Sequence, residues 1–172
     1  MDHLFSPWRY QYIREPRVGS AGCVLCHELS QGDDAASLVV FRARYCAIVL
    51  NRFPYTTGHI MILPFAHCAT LAACGVATRA EMFELAARAE IVLQTEYQPQ
   101  GLNVGLNLGE AAGAGIAGHI HLHVVPRWRG DANFMTIVSE TRVLPEALAD
   151  TYARLHRAFA LSPTPGAPDA PH

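Results

Sequence analysis

Three histidines alternate with aliphatic residues in His119-Ile120-His121-Leu122-His123-Val124. Strict period-two alternation is the signature of a strand with one polar and one apolar face, whereas on a helix the middle histidine would point away from the other two. The pattern therefore predicts a strand over residues 119–125 with its aliphatic side chains in a core. Neighbouring histidines then stand about 7 Å apart at the backbone and the outer pair about 13 Å, so one ion could take two of them but not all three.

The rest of the chain predicts an antiparallel α+β domain around that strand. Residues 38–41 and 45–50 are rich in β-branched and aliphatic side chains, and 59–63 forms a third such run closed by Pro64. Thr78-x-x-Glu81 has the spacing of a capping box, and Met82, Leu85, Ala86, Ala89 and Leu93 repeat on one helical face up to Tyr97, before Pro99. A fourth strand is expected over 102–108, a Gly/Ala loop over 109–118, and a second helix from Pro145 towards Ala160. Residues 1–30 read as extended or turn backbone around Pro7 and Pro16. Strands in succession, joined by short links, favour an antiparallel five-stranded sheet with two helices over repeated βαβ units. One domain spans 1–161, and the four prolines of 162–172 mark a frayed tail.

Composition narrows the function classes. With 51% hydrophobic and 16% charged residues in 172, the chain has the material for a core, so disorder is excluded for most of its length. All 13 basic residues are arginine and the net charge is −2, which excludes lysine Schiff-base chemistry, a phosphate-loop lysine and a generic nucleic-acid-binding surface. No apolar run reaches the roughly 20 residues of a membrane span and no signal peptide is visible, so a soluble cytoplasmic protein is expected. The five cysteines, at 23, 26, 46, 68 and 74, do not form a secreted disulfide framework; Cys46, Cys68 and Cys74 read as buried or half-buried thiols.

A row of imidazoles suits attack on phosphorus. A neutral histidine whose Nδ1–H is held by a carbonyl presents Nε2 as a nucleophile near neutral pH, and its neighbours can donate to developing oxyanion charge. The 109–118 loop has little side-chain bulk, so its amides could approach a phosphate chain; an ordinary flexible connection is the other reading. Gly113-x-Gly115-x-x-Gly118 matches the dinucleotide-binding glycine pattern, but a strand follows where that mechanism needs a helix N-terminus, and no organic cofactor is expected. Arg127 and Trp128 are either surface residues or lie at the mouth of a site, where guanidinium could hold phosphate and indole stack on a base.

His119-Ile-His121-Leu-His123-Val-Val125 resembles the signature of the histidine triad family, and the resemblance extends from Ser6-Pro7-Trp8-Arg9 through Leu50-Asn51-Arg52-Phe53-Pro54 and Gly58-His59-Ile60 to Leu144-Pro145. The stretches around Gly113 to His119 and Val125 to Phe134 are similar to the bacterial branch acting on diadenosine tetraphosphate. The resemblance implies a histidine triad fold, a homodimer, and His121 as the nucleophile that carries a nucleotidyl intermediate. It implies that His123 contacts phosphate and manages leaving-group charge, and that His119 supports the row. Asn51 would hold the ribose hydroxyls, with Val49, His59 and Met61 near the nucleoside, Asn107 on phosphate, and Gly113 and Gly115 in the phosphate loop. Many members carry Gln or Ser before the triad where this chain has Ala114, Gly115, Ile116 and Ala117, which leaves leaving-group assistance unassigned. His123 argues against the galactose-1-phosphate uridylyltransferase branch, which has Gln at that place.

The implied reaction cleaves dinucleoside polyphosphates with inorganic phosphate as acceptor. Its rivals are hydrolysis, a nucleotide-binding regulatory module with little turnover, and a metal enzyme using two strand histidines. Cys23-x-x-Cys26 has metal-ligand spacing and needs two further ligands, for which His67 and His119 are candidates, matching the zinc-bearing members of the family; free or redox-active thiols are the alternative.

Overall fold

The computed structural model describes residues 22–131 and 146–162. Expectations that fall on residues 1–21, on Asn133, Phe134, Leu144 and Pro145, and on 163–172 lie outside them. Five antiparallel strands form one sheet: β1 Val39–Arg42, β2 Cys46–Leu50, β3 Ile60–Pro64, β4 Gly101–Leu106 and β5 Leu122–Arg127. Their spatial order is β1-β2-β3-β5-β4, so the strand carrying the last histidine sits between β3 and the edge strand β4.

The register sorts the side chains into two faces. Ile48, Ile62 and Leu122 stand opposite one another, as do Leu50, Ile60 and Val124, and all six are almost wholly buried. They share one core with α2, Val76–Tyr97, and α3, Leu148–Leu161. α2 contributes Met82, Leu85, Ala86, Ala89, Val92 and Leu93, an apolar stripe at helical spacing, and α3 contributes Thr151, Leu155 and Phe159 at intervals of four. The opposite face carries the row Val49, Met61 and His123, one position away along each strand.

Four features depart from the expectation. A third helix, α1 over Val24–Ser30, lies where extended backbone was expected; it buries Leu25 and Leu29, one turn apart. Arg42 holds it to the sheet edge, donating to the Leu29 carbonyl at 3.0 Å while paired with Asp34 at 2.7 Å. The capping box is not formed: α2 begins at Val76 behind Gly75, and Glu81 accepts instead the amides of Arg44 and Tyr45 in the β1–β2 turn, at 3.2 and 2.6 Å. Cys68 and Cys74 are joined by a disulfide rather than being separate thiols, whereas Cys46 is a buried thiol as expected. The triad strand enters its ladder only at Leu122, because the Ile120 amide donates to the Cys68 carbonyl at 2.8 Å.

Candidate active site

His121 precedes β5 and its Nδ1–H donates to the carbonyl of His119 at 2.9 Å, which leaves the lone pair on Nε2. Burial lowers its pKa from the ordinary histidine value, against the opposing pull of that carbonyl, so the neutral ring is favoured near pH 7. The His123 ring stands edge-on to it, with centroids 4.9 Å apart.

A chain of donors assigns the tautomer of His123. The Tyr55 amide donates to His59 Nδ1 at 3.1 Å, so the His59 proton sits on Nε2 and faces His123 Nδ1 at 3.0 Å. His123 then carries its own proton on Nε2, as a donor to an anionic oxygen requires. Tyr55 stacks on His59 at 4.8 Å between centroids and 18° between planes. His59 is 0% exposed, and its Nε2 reaches the site through His123 Nδ1.

Asn51 lies beside this group. Its Oδ1 accepts the Phe53 amide at 2.9 Å, and its Nδ2 stands 3.4 Å from His59 Nε2 and 3.6 Å from Met61 Sδ. Asn51, His59, Met61 and His123 are thus brought together, with Val49 next to Met61 in the register. Asn107 reaches the Gly113 carbonyl with Nδ2 at 3.5 Å and so props the loop; Gly113, at φ +89°, adopts a conformation that suits glycine. Gly115 is exposed, with open space where a Cβ would stand. No helix begins at Gly118, in keeping with the rejected dinucleotide pattern.

Arg127 does not join the histidines. It ends β5, six residues beyond His121, which is about 20 Å along extended backbone. Its guanidinium is paired with Asp131 at 2.6 Å and donates to Asn103 Oδ1 at 2.8 Å. Trp128 follows in the same turn, its amide donating to Asp131 at 3.2 Å. The structure thus places Arg127 a strand's length from His121 in the same chain, engaged with Asp131 and Asn103.

The ring of His119 leaves the row. Its Nε2–H donates to the Pro64 carbonyl at 2.8 Å, which turns the Nδ1 lone pair towards Cys26 Sγ at 3.3 Å and Cys23 Sγ at 3.4 Å. Cys26 Sγ is also 3.4 Å from His67 Nδ1. All four ligand atoms lie within 4.8 Å of one another. Tetrahedral zinc with two sulfurs and two nitrogens sets ligand atoms about 3.5–3.8 Å apart, so the donor set and its spacing fit that ion. The Pro64 carbonyl, by accepting from Nε2–H, fixes the His119 tautomer that a ligand needs. Burial and the neighbouring Cys23 push the Cys26 thiol up; coordination reverses that preference, since a bound sulfur is a thiolate. A Cβ on Gly118 would stand 3.8 Å from the His67 ring, so the last loop glycine packs against this cluster.

The groups absent from the sequence reading are Tyr55 and the backbone carbonyls of Pro64 and Cys68. Tyr55 lies four residues before His59, between two expected strands, and carbonyls carry no residue-type signal.

A family profile for the HIT domain matches residues 33–130. The chain is 37% identical over 169 residues to the AP-4-A phosphorylase of Mycobacterium tuberculosis, covering 95% of this chain and 87% of that protein. Among solved structures, a zinc-bound histidine triad family protein from Mycobacterium smegmatis is 29% identical with a TM-score of 0.66, covering 83% of this chain and 96% of the other. A hypothetical histidine triad nucleotide-binding protein from Sulfolobus tokodaii, 21% identical with a TM-score of 0.63 over 80% of this chain and 92% of its own, shares the fold. With the profile spanning more than half of the sequence and the first relative almost all of it, the chain belongs to the HIT domain family.

Proposed function

We propose that this chain is an enzyme that cleaves dinucleoside polyphosphates such as diadenosine tetraphosphate at the α-phosphorus, through a nucleotide carried on His121 and with inorganic phosphate as acceptor. The observation that carries the reading is the His121 Nδ1–H bond to the His119 carbonyl, which directs the Nε2 lone pair outward. Nε2 attacks the α-phosphorus in line, the bond to the bridging oxygen breaks, and ATP departs as an anion whose bridging oxygen accepts a hydrogen bond from His123 Nε2–H. A phosphate oxygen then displaces His121 and ADP is released; with water in its place the product is AMP. Asn51 would hold the ribose, and Asn107 with the backbone at Gly113 and Gly115 the phosphate chain. Support for the substrate class and for phosphate comes from the relative named AP-4-A phosphorylase. Zinc at Cys23, Cys26, His67 and His119 is read as structural: it would fasten α1 to the triad segment and take no part in bond breaking. The half-exposed Val104 on edge strand β4 supports a homodimer, and the site of action is read as the cytoplasm.

Product chromatography with and without millimolar phosphate tests the reading. ADP plus ATP supports phosphorolysis, AMP plus ATP favours the hydrolase, and two ADP rejects attack at the α-phosphorus. Binding of substrate without turnover favours a regulatory module. Acid-labile labelled nucleotide is expected on the wild type and absent from His121→Ala, whose kcat should fall at least a thousandfold, about 4 kcal/mol. Activity of that variant within about tenfold of wild type overturns the covalent step.

A further inference from the structure

The loop between β3 and α2 carries the metal-cluster residue His67 and two cysteines that the proposed chemistry does not use. Cys68 and Cys74 are bridged, with Cα atoms 5.8 Å apart, and both are buried while their neighbours Ala66, His67, Ala69 and Ala73 are exposed. The bridge joins two unlike halves. Its Cys74 end is anchored to α2: Arg79 donates to the Leu71 carbonyl at 2.9 Å and to the Cys74 carbonyl. Its Cys68 end meets the site at two places. His67 is the preceding residue, and the Cys68 carbonyl holds the amide of Ile120, the residue between His119 and His121.

We propose that the Cys68–Cys74 bridge is a reversible thiol–disulfide clip that positions His67 and the Ile120 amide, so that its reduction loosens both the metal cluster and the backbone that orients His121. The His67 half rests on the metal reading above; the Ile120 half does not. The reductant is a dithiol, free or carried by a protein. One of its thiolates attacks a bridge sulfur, the S–S bond breaks, and the mixed disulfide is resolved by its second thiol. Two electrons and two protons pass to the cysteines, leaving two thiols and an oxidised dithiol. A disulfide of the same class restores the bridge by the reverse exchange. The exposed neighbours on either side make local opening of the loop the route of access to the covered sulfurs.

Hydrogen exchange on the full chain tests the clip, with the bridge intact or reduced by a phosphine that leaves zinc bound. Reduction is verified by mass after alkylation, and folding by circular dichroism. The Ile120 amide should exchange about tenfold faster in the reduced protein while Val124, in the middle of β5, stays within twofold. Release of zinc to a chelator should quicken by a similar factor, and Cys68→Ser/Cys74→Ser should behave as the reduced form. A change below threefold at Ile120, a parallel rise at Val124, a reduced chain that unfolds, or five alkylatable cysteines in protein held under oxidising conditions each overturns the proposal. Protein that contains no zinc refutes the metal reading while the Ile120 amide still decides the clip.

Discussion

His119 serves two neighbours with different atoms. Its carbonyl accepts the His121 Nδ1–H and its Nδ1 faces the cysteine pair, so the residue that opens the triad connects His121 with the cysteine–histidine cluster. His59 acts at one remove, by supplying the hydrogen bond that fixes the His123 tautomer. His59→Phe keeps the bulk of the ring and removes both nitrogens, so kcat should fall about a hundredfold with KM within about threefold, the size of a lost hydrogen bond to developing oxyanion charge. An unchanged kcat would remove His59 from the proton arrangement. Arg127 gives the opposite expectation. Because it is already engaged with Asp131 and Asn103, Arg127→Ala should leave the phosphate dependence of turnover within twofold of wild type and lower stability by about 0.5–1 kcal/mol, as for an exposed ion pair. A tenfold rise in the phosphate KM would restore it as an acceptor site. At this scale the sequence exposed what residue type and spacing can carry, namely the triad and the cysteine pair, while Asn51 entered only through the family resemblance. Pro64 and Cys68 act through carbonyls and Tyr55 through an amide, and those groups are the same in every residue.

Among the elements, the long helix and the strands were legible because each repeats its apolar residues at its own period. α1 was not. Seven residues with two buried leucines are too few to hold a helix alone, and Arg42 and the metal cluster supply what its length lacks. The capping box failed because Glu81 is used across space: two amides of the β1–β2 turn compete for the same carboxylate. α3 is held at its start by Glu146, which accepts from Tyr97 Oη at 2.7 Å, Thr151 Oγ1 at 2.9 Å and Arg154 Nε at 3.0 Å. Burial alone would raise the Glu146 pKa, but these donors together hold it below the usual carboxylate value. A depressed pKa contributes stability that is present above the unfolded value of about 4.3 and is lost as pH falls through the folded value. Glu146→Gln should therefore be less stable than wild type by about 1–2 kcal/mol at pH 7, with the gap closing below about pH 4. Denaturant titrations at several pH values check this, and a gap that widens in acid contradicts it.

Across the whole molecule, the cluster of Cys23, Cys26, His67 and His119 joins segments that the chain keeps far apart. Cys23 and Cys26 come from the start of α1, His67 from the loop after β3, and His119 from the segment entering β5. This convergence follows from the strand order, in which β5 is inserted between β3 and β4, and no local period announces such an insertion; it emerges only when the hydrophobic rows are matched across strands. A zinc ion held there would tie α1 to the triad segment, stabilising the fold and, through the His119 carbonyl, the orientation of His121. Removal of zinc should thus have two separable effects. A site filled at about a thousand times its dissociation constant contributes about 4 kcal/mol, so chelation should lower Tm by about 10 °C for a domain of this length. Under the proposed function chelation should also lower kcat by about tenfold or more while KM changes little, because Asn51 lies apart from the cluster whereas the His121 ring is held by the carbonyl of His119, one of the residues that would bind zinc. Restoring zinc should restore both, and magnesium should restore neither, since it prefers hard oxygen donors to thiolates. A chelated protein with normal kcat and lowered Tm would confine the cluster to holding α1 in place, and turnover that returns with magnesium alone would place the metal requirement on the substrate phosphates.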